Sequence, residues 1–265
     1  MATKTDVSNN FARQLINIVA FIAFVVIPVL AGTLPFNGNY LMDIVAKYSP
    51  DFMVPAYAWY VSHAVIYIFL LCYIVYQALP HKRNDRVLRS IDVLFCVFAL
   101  ANIVWTFGFF YEVQTLALVG SIVGATCAFL IYDRLGIGRD RASKTTYWCV
   151  HFPFSIAAAT ALFGIVAELS IFCIHYELMW WGVGETAWNV IAMLVVTFFG
   201  SVFLHYRPDA AFGITCVWLS AGLAVYQGTQ NPVVSSFAYL MTVYFALATY
   251  LNGIHRPRLT KKDTK

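Results

Sequence analysis

Long apolar runs, each near the 20 or so residues that a helix needs to cross a bilayer, recur along the whole chain and are broken only by short polar, glycine- or proline-marked connections. They lie near Leu15 to Leu34, Val54 to Leu79, Val87 to Tyr111, Val113 to Tyr132, Tyr147 to Ile174, Thr186 to Tyr206, Ala210 to Tyr226 and Val233 to Ile254. The pattern predicts an all-α fold, a polytopic transmembrane bundle of eight helices. Between the first two runs, Leu41, Ile44 and Val45 alternate with Asp43 and Lys47, which suits either a short amphipathic helix at the membrane surface or an ordinary loop.

Composition agrees: 61% of the 265 residues are hydrophobic and 11% charged, with a mean hydropathy of +0.72, outside the range of soluble domains. With the N-terminus placed in the cytoplasm, every Lys and Arg except Lys47 falls on the cytoplasmic side, as the positive-inside rule requires for an even number of spans. Both termini are therefore expected in the cytoplasm, and the protein in the inner cell membrane. The net charge of +4 reads as a topology signal rather than a nucleic-acid footprint. The six cysteines show no C-x-x-C spacing and read as small apolar packing residues.

Polar residues within the spans are few and costly, so each is informative. In the second run, Tyr57, Trp59, His63 and Tyr67 are expected to share an aromatic face around one imidazole, although a histidine bonded to a neighbouring helix would satisfy the same physics. The third run carries Asp92 near its basic end, then Asn102, Trp105, Phe109 and Phe110. The fourth has two files of small residues, Ala117, Ser121, Ala125 and Gly120, Gly124, Ala128, which predict close approach of a neighbouring helix. The fifth carries Glu168. At the helical rise, His63 and Glu168 lie about 14 and about 9 Å below the outer surface, near enough in depth to meet. His175, Glu177 and Glu185 fit no specific metal site, and Trp180 and Trp181 suit the membrane interface. No metal site is expected. No nucleotide-binding loop, nucleophile elbow or zinc-protease motif is present, so no catalytic residue is assigned.

Pro55, Tyr57, Trp59 and Tyr67, together with N-x-x-W-x-x-x-F-F as Asn102, Trp105, Phe109 and Phe110, resemble the translocator/tryptophan-rich sensory protein (TspO) family. A longer bacterial branch with extra C-terminal helices is the most similar, sharing Pro35 to Gly38, Tyr76 to Pro80 and Leu135 to Arg139. His63 stands where the family has tryptophan and Phe98 where it has glutamine; of the fifth-helix motif, Pro153, Phe154 and Ala161 remain.

The resemblance implies a five-helix unit over residues 1–175, three added helices over 176–255, and a basic tail over 256–265. It also implies an intramembrane pocket for a flat hydrophobic ligand of tetrapyrrole or sterol type, sensed or trafficked, with porphyrin or haem as the candidate cofactor and a homodimer as the candidate assembly. Tyr57, Trp59, His63, Tyr67, Asn102, Trp105, Phe109 and Glu168 are the expected lining. Two other classes compete: a proton-coupled secondary transporter using His63 and Glu168 as a relay, and an accessory subunit whose aromatic faces pack against partners. A porphyrin-modifying activity rests on the resemblance alone.

Overall fold

The computed structural model describes residues 4–48, 55–178 and 184–254. Among them eight helices are long and apolar enough to cross a membrane. These are α1 (Lys4–Thr33), α3 (Ala56–Ala78), α4 (Arg86–Phe110), α5 (Gln114–Arg134), α6 (Lys144–His175), α7 (Glu185–Tyr206), α8 (Ala210–Gln227) and α9 (Pro232–Ala248), the last running on into a wide turn at Thr249–Ile254. The amphipathic segment before the second span is helical too, as α2 (Leu41–Tyr48). Trp180, Trp181 and the tail from Arg256 lie outside the described residues.

Local chemistry sets the helix starts. The Asp85 carboxylate accepts from the Val87 and Leu88 amides at the head of α4. Asp209 accepts from Ala211 at α8, and Asn231 from Val234 at α9, whose first residue is Pro232. Between α4 and α5 the chain reverses in three residues, with Glu112 at a φ of 56°.

Five helices close a ring in the order α1, α3, α6, α5, α4 and back to α1, each packed on the next. The tightest seam joins α4 and α5. A Cβ placed on Gly108 would stand 2.4 Å from the Ala117 nitrogen, and one on Gly120 would stand 2.7 Å from the Trp105 nitrogen, so the two backbones touch where the small-residue file predicts. Outside the ring, α8 packs on α3 and α6, and α7 and α9 pack around it. The Trp218 indole donates to the Ala58 carbonyl at 3.2 Å, and Gly222 lies against Ala58 and Pro55, which fastens α8 to the first turn of α3. Much of the remaining surface is apolar, with Val93, Phe198, Ile214 and Leu240 all more than half exposed, as lipid contact requires.

The ring interior is layered. Its basic end holds Arg13, Asn17, Gln77 and Asp92. Above them come Tyr73, Phe95 and Phe154, with ring centroids 5.1 to 6.2 Å apart, and then Phe24, Tyr67 and Phe98, with Phe24 5.3 Å from each of the other two. The opposite end is closed by α2, whose Ile44 and Tyr48 are buried with Ala31, Phe109, Phe110, Ala117 and Ile171.

Candidate functional site

Between the Phe24 layer and α2, aromatic rings meet a second buried acid. Glu168 on α6 is 3% exposed, in a span with no other charged side chain beyond Lys144. Its Oε2 accepts from the Trp105 indole nitrogen at 2.8 Å, while Oε1 has no hydrogen-bond partner. Because α4 and α6 are not adjacent in the ring, this bond crosses the interior, and both side chains project inward. Trp105 in turn stacks on Phe109 at 5.3 Å and 29°. From α3, Trp59 reaches toward Gly164, one turn from Glu168: a Cβ there would lie 3.4 Å from the far edge of the indole.

His63 lies 5.7 Å from the Trp59 ring and 5.9 Å from Tyr67. Its Nδ1 is 2.9 Å from the Trp59 carbonyl oxygen. A carbonyl only accepts, so Nδ1 carries a proton, and in the neutral imidazole the lone pair is then on Nε2. His63 and Glu168 do not bond to each other. One is held by its own helix and the other by Trp105, so the direct relay that their depths suggest is not formed.

Of the eight expected lining residues, Trp59, His63 and Tyr67 follow one another along α3, and Trp105, Phe109 and Glu168 form a second group across α4 and α6, which Trp59 approaches at Gly164. Tyr57 joins neither group. It is 50% exposed, because two residues at 100° each turn it some 200° away from Trp59, onto the outer side of α3. Asn102 also turns aside: its amide donates to the Phe98 carbonyl at 2.8 Å and sits against Gly124, at the seam with α5.

A family model described as TSPO-like protein matches residues 14–251, through all eight spans. The chain belongs to the TSPO-like family. No curated protein and no solved structure gives a significant match. This TSPO-like chain is thus an all-α, multi-pass membrane protein, and its family match continues through α7, α8 and α9 rather than stopping at the five-helix ring.

Two polar clusters of this TSPO-like protein go beyond what its spans announce singly. At the basic end of the ring, Arg13 pairs with Asp92 at 2.7 Å, Asn17 donates to Asp92 at 2.6 Å, and the Gln14 amide donates to the Gln77 carbonyl at 2.6 Å. Cys96 donates to Asn17. The residues come from three helices, so no local window shows them as a cluster. Near the α5–α8 contact, Tyr132 donates to the buried Asp209 at 3.1 Å, and Arg207 pairs with Asp133.

At the other mouth, Lys47 pairs with Glu112, Tyr48 donates to the same carboxylate at 2.7 Å, and the Tyr48 oxygen lies 2.8 Å from His175 Nδ1. With the single hydroxyl proton committed to Glu112, His175 must donate to Tyr48. His175, a weak metal-ligand candidate by spacing, is thus a tie between α2 and α6; among the described residues no group of His, Cys, Asp and Glu is placed to hold a metal. The Lys47 ammonium foremost, then the Tyr48 hydroxyl, hold the Glu112 carboxyl below its ordinary range. The Glu112 hydrogen bond likewise raises Lys47. The carboxylate contribution is complete above the ordinary glutamate range and lost as pH falls through the depressed value; the lysine contribution is lost only as pH rises past the ordinary lysine range.

A spin-label distance from Asp43 on α2 to Thr115 on α5 should therefore hold from about pH 5 to about pH 9 and broaden in acid. Glu112→Gln should broaden it already at neutral pH. Identical distributions in the two proteins would mean that apolar contacts alone seat α2.

Proposed function

We propose that this protein binds a flat hydrophobic ligand of tetrapyrrole or sterol type in the upper half of the ring, and senses or traffics it. The observation that carries the reading is Glu168, a carboxyl group inside an aromatic shell with one oxygen satisfied by Trp105 and the other without a partner. A buried polar atom without a partner costs on the order of 1–3 kcal/mol, which a bound ligand's polar group recovers. Flat ligands suit such surroundings because aromatic faces supply stacking and apolar burial, while a few polar groups orient the molecule. His63 adds a basic nitrogen where the family resemblance has an indole. Its Nε2 lone pair would hold the metal of a metallated tetrapyrrole or accept from a ligand hydroxyl.

The test is an absorbance and tryptophan-quenching titration of the purified protein with haem and protoporphyrin, beside His63→Ala. Saturable haem binding is expected, with a shifted Soret band that His63→Ala abolishes while protoporphyrin binding persists. Absence of binding by both compounds would remove the tetrapyrrole reading, and a Soret shift unchanged in His63→Ala would remove His63 from it. Sterol competition against the bound tetrapyrrole then separates the two ligand types.

A further inference from the structure

Among the described residues Glu168 has no counter-charge at its depth; Arg13, inside the ring at the basic end, is paired with Asp92. The sequence holds no Lys or Arg from residue 14 to 46, 48 to 81, 90 to 133 or 145 to 206, so the five ring helices carry none at its depth. Lys47, the one cation at this end of the molecule, is bonded to Glu112. His63 spends its Nδ1 proton on the Trp59 carbonyl and offers an acceptor with its other nitrogen. Trp105 satisfies Oε2 with a neutral N–H, which leaves Oε1 buried and unpartnered. An ionised carboxyl in an apolar interior is expensive until a positive group reaches it.

The surroundings suit that positive group. Trp105 holds the acid through its ring-edge N–H and stacks on Phe109, and the far edge of Trp59 lies against Gly164, one turn from Glu168. Aromatic neighbours without acceptor atoms leave the unpartnered carboxylate oxygen as the strongest acceptor at this level of the ring.

We propose that Glu168, Trp105 and Trp59 form a subsite for the protonated nitrogen of a flat lipophilic cation. The nitrogen donates to Glu168 Oε1, and the flat body extends past Trp59 toward His63 and Tyr67. This rests on the flat-ligand reading above and narrows it: a ligand that brings a carboxylate to this end is at a disadvantage, and a tetrapyrrole fits only with its carboxylates turned away from Glu168.

Three ligands of one shape test it at neutral pH: the aminoacridine cation, neutral acridine and the acridine carboxylate anion. Each is measured by equilibrium dialysis against the full chain in nanodiscs, with empty nanodiscs as the blank for lipid partitioning. The cation should bind about tenfold or more tighter than acridine, and the anion most weakly. Glu168→Gln, close in size, should remove the cation's advantage over acridine, so that the two bind within a few-fold of each other.

Acridine binding as tightly as the cation to the wild-type protein, or a cation preference that survives in Glu168→Gln, overturns the charge assignment and leaves the flat-ligand reading standing. The wild-type series alone decides the matter if the variant does not fold. Should none of the three bind, and haem and protoporphyrin also fail, the pocket reading falls and the subsite with it.

Discussion

Arg13→Ala is expected to destabilise the protein by about 3–5 kcal/mol, the range for a buried ion pair that loses one partner. The pair is close, at 2.7 Å, and secluded, with side-chain exposures of 20% for Arg13 and 5% for Asp92. Removing the guanidinium leaves the Asp92 carboxylate to a single amide donor, Asn17, and also removes the donor to the Arg83 carbonyl that ties α1 to the connection before α4. Asp92→Leu added to Arg13→Ala should recover most of the loss, because it removes the stranded charge. Reversible unfolding in mixed micelles, run as a double-mutant cycle, measures both effects. A loss below about 1 kcal/mol in the single variant would instead give the pair the small worth of an exposed surface ion pair.

Gly120→Ala and Gly108→Ala should each destabilise by about 1–3 kcal/mol, whereas the same change in an unconstrained helix position gains up to about 1 kcal/mol. The reversed sign is the diagnostic. At both sites the added methyl meets backbone atoms, which cannot swing away as a side chain can. Gly32→Ala is the control, since its nearest neighbour would be the Tyr60 ring at 3.9 Å, an ordinary contact. Gly120→Ala should also weaken ligand binding, because the atoms it displaces are the Trp105 nitrogen and Cα, and Trp105 is what holds Glu168. Unfolding free energies for all three variants, with a haem titration of Gly120→Ala, test the chain of cause from seam to site. A stable Gly120→Ala protein with unchanged binding would mean that α4 and α5 separate without cost to the site.

What the linear chain reveals reflects the period and length of its apolar runs. Backbone groups in lipid must be satisfied within the segment, so eight runs of spanning length can only be helices, and the structure places them within a few residues of the expected bounds. The α2 segment shows the same logic at short range, and the α5 glycine file announces a close seam because absent side chains are legible directly. Periodicity also places Trp59, His63 and Tyr67 on one face. Applied fully, it would have excluded Tyr57, which lies some 200° round the helix.

Which faces meet was beyond such reading. Trp105 and Glu168 are 63 residues apart and bond across a ring whose order of helices no single span encodes. Asn102 shares a helix with Trp105 and yet faces Gly124, because the α4–α5 seam takes up that side of the helix. Arg13 and Asp92 each suit an interfacial charge when taken alone, and become a buried pair only when α1 packs on α4. The sequence by itself determined that the chain crosses the membrane as eight helices, since lipid admits no other state for such runs. Only the tertiary structure decided which costly polar groups found partners and that Glu168 kept one oxygen without, since partnership depends on contacts between helices distant in the chain.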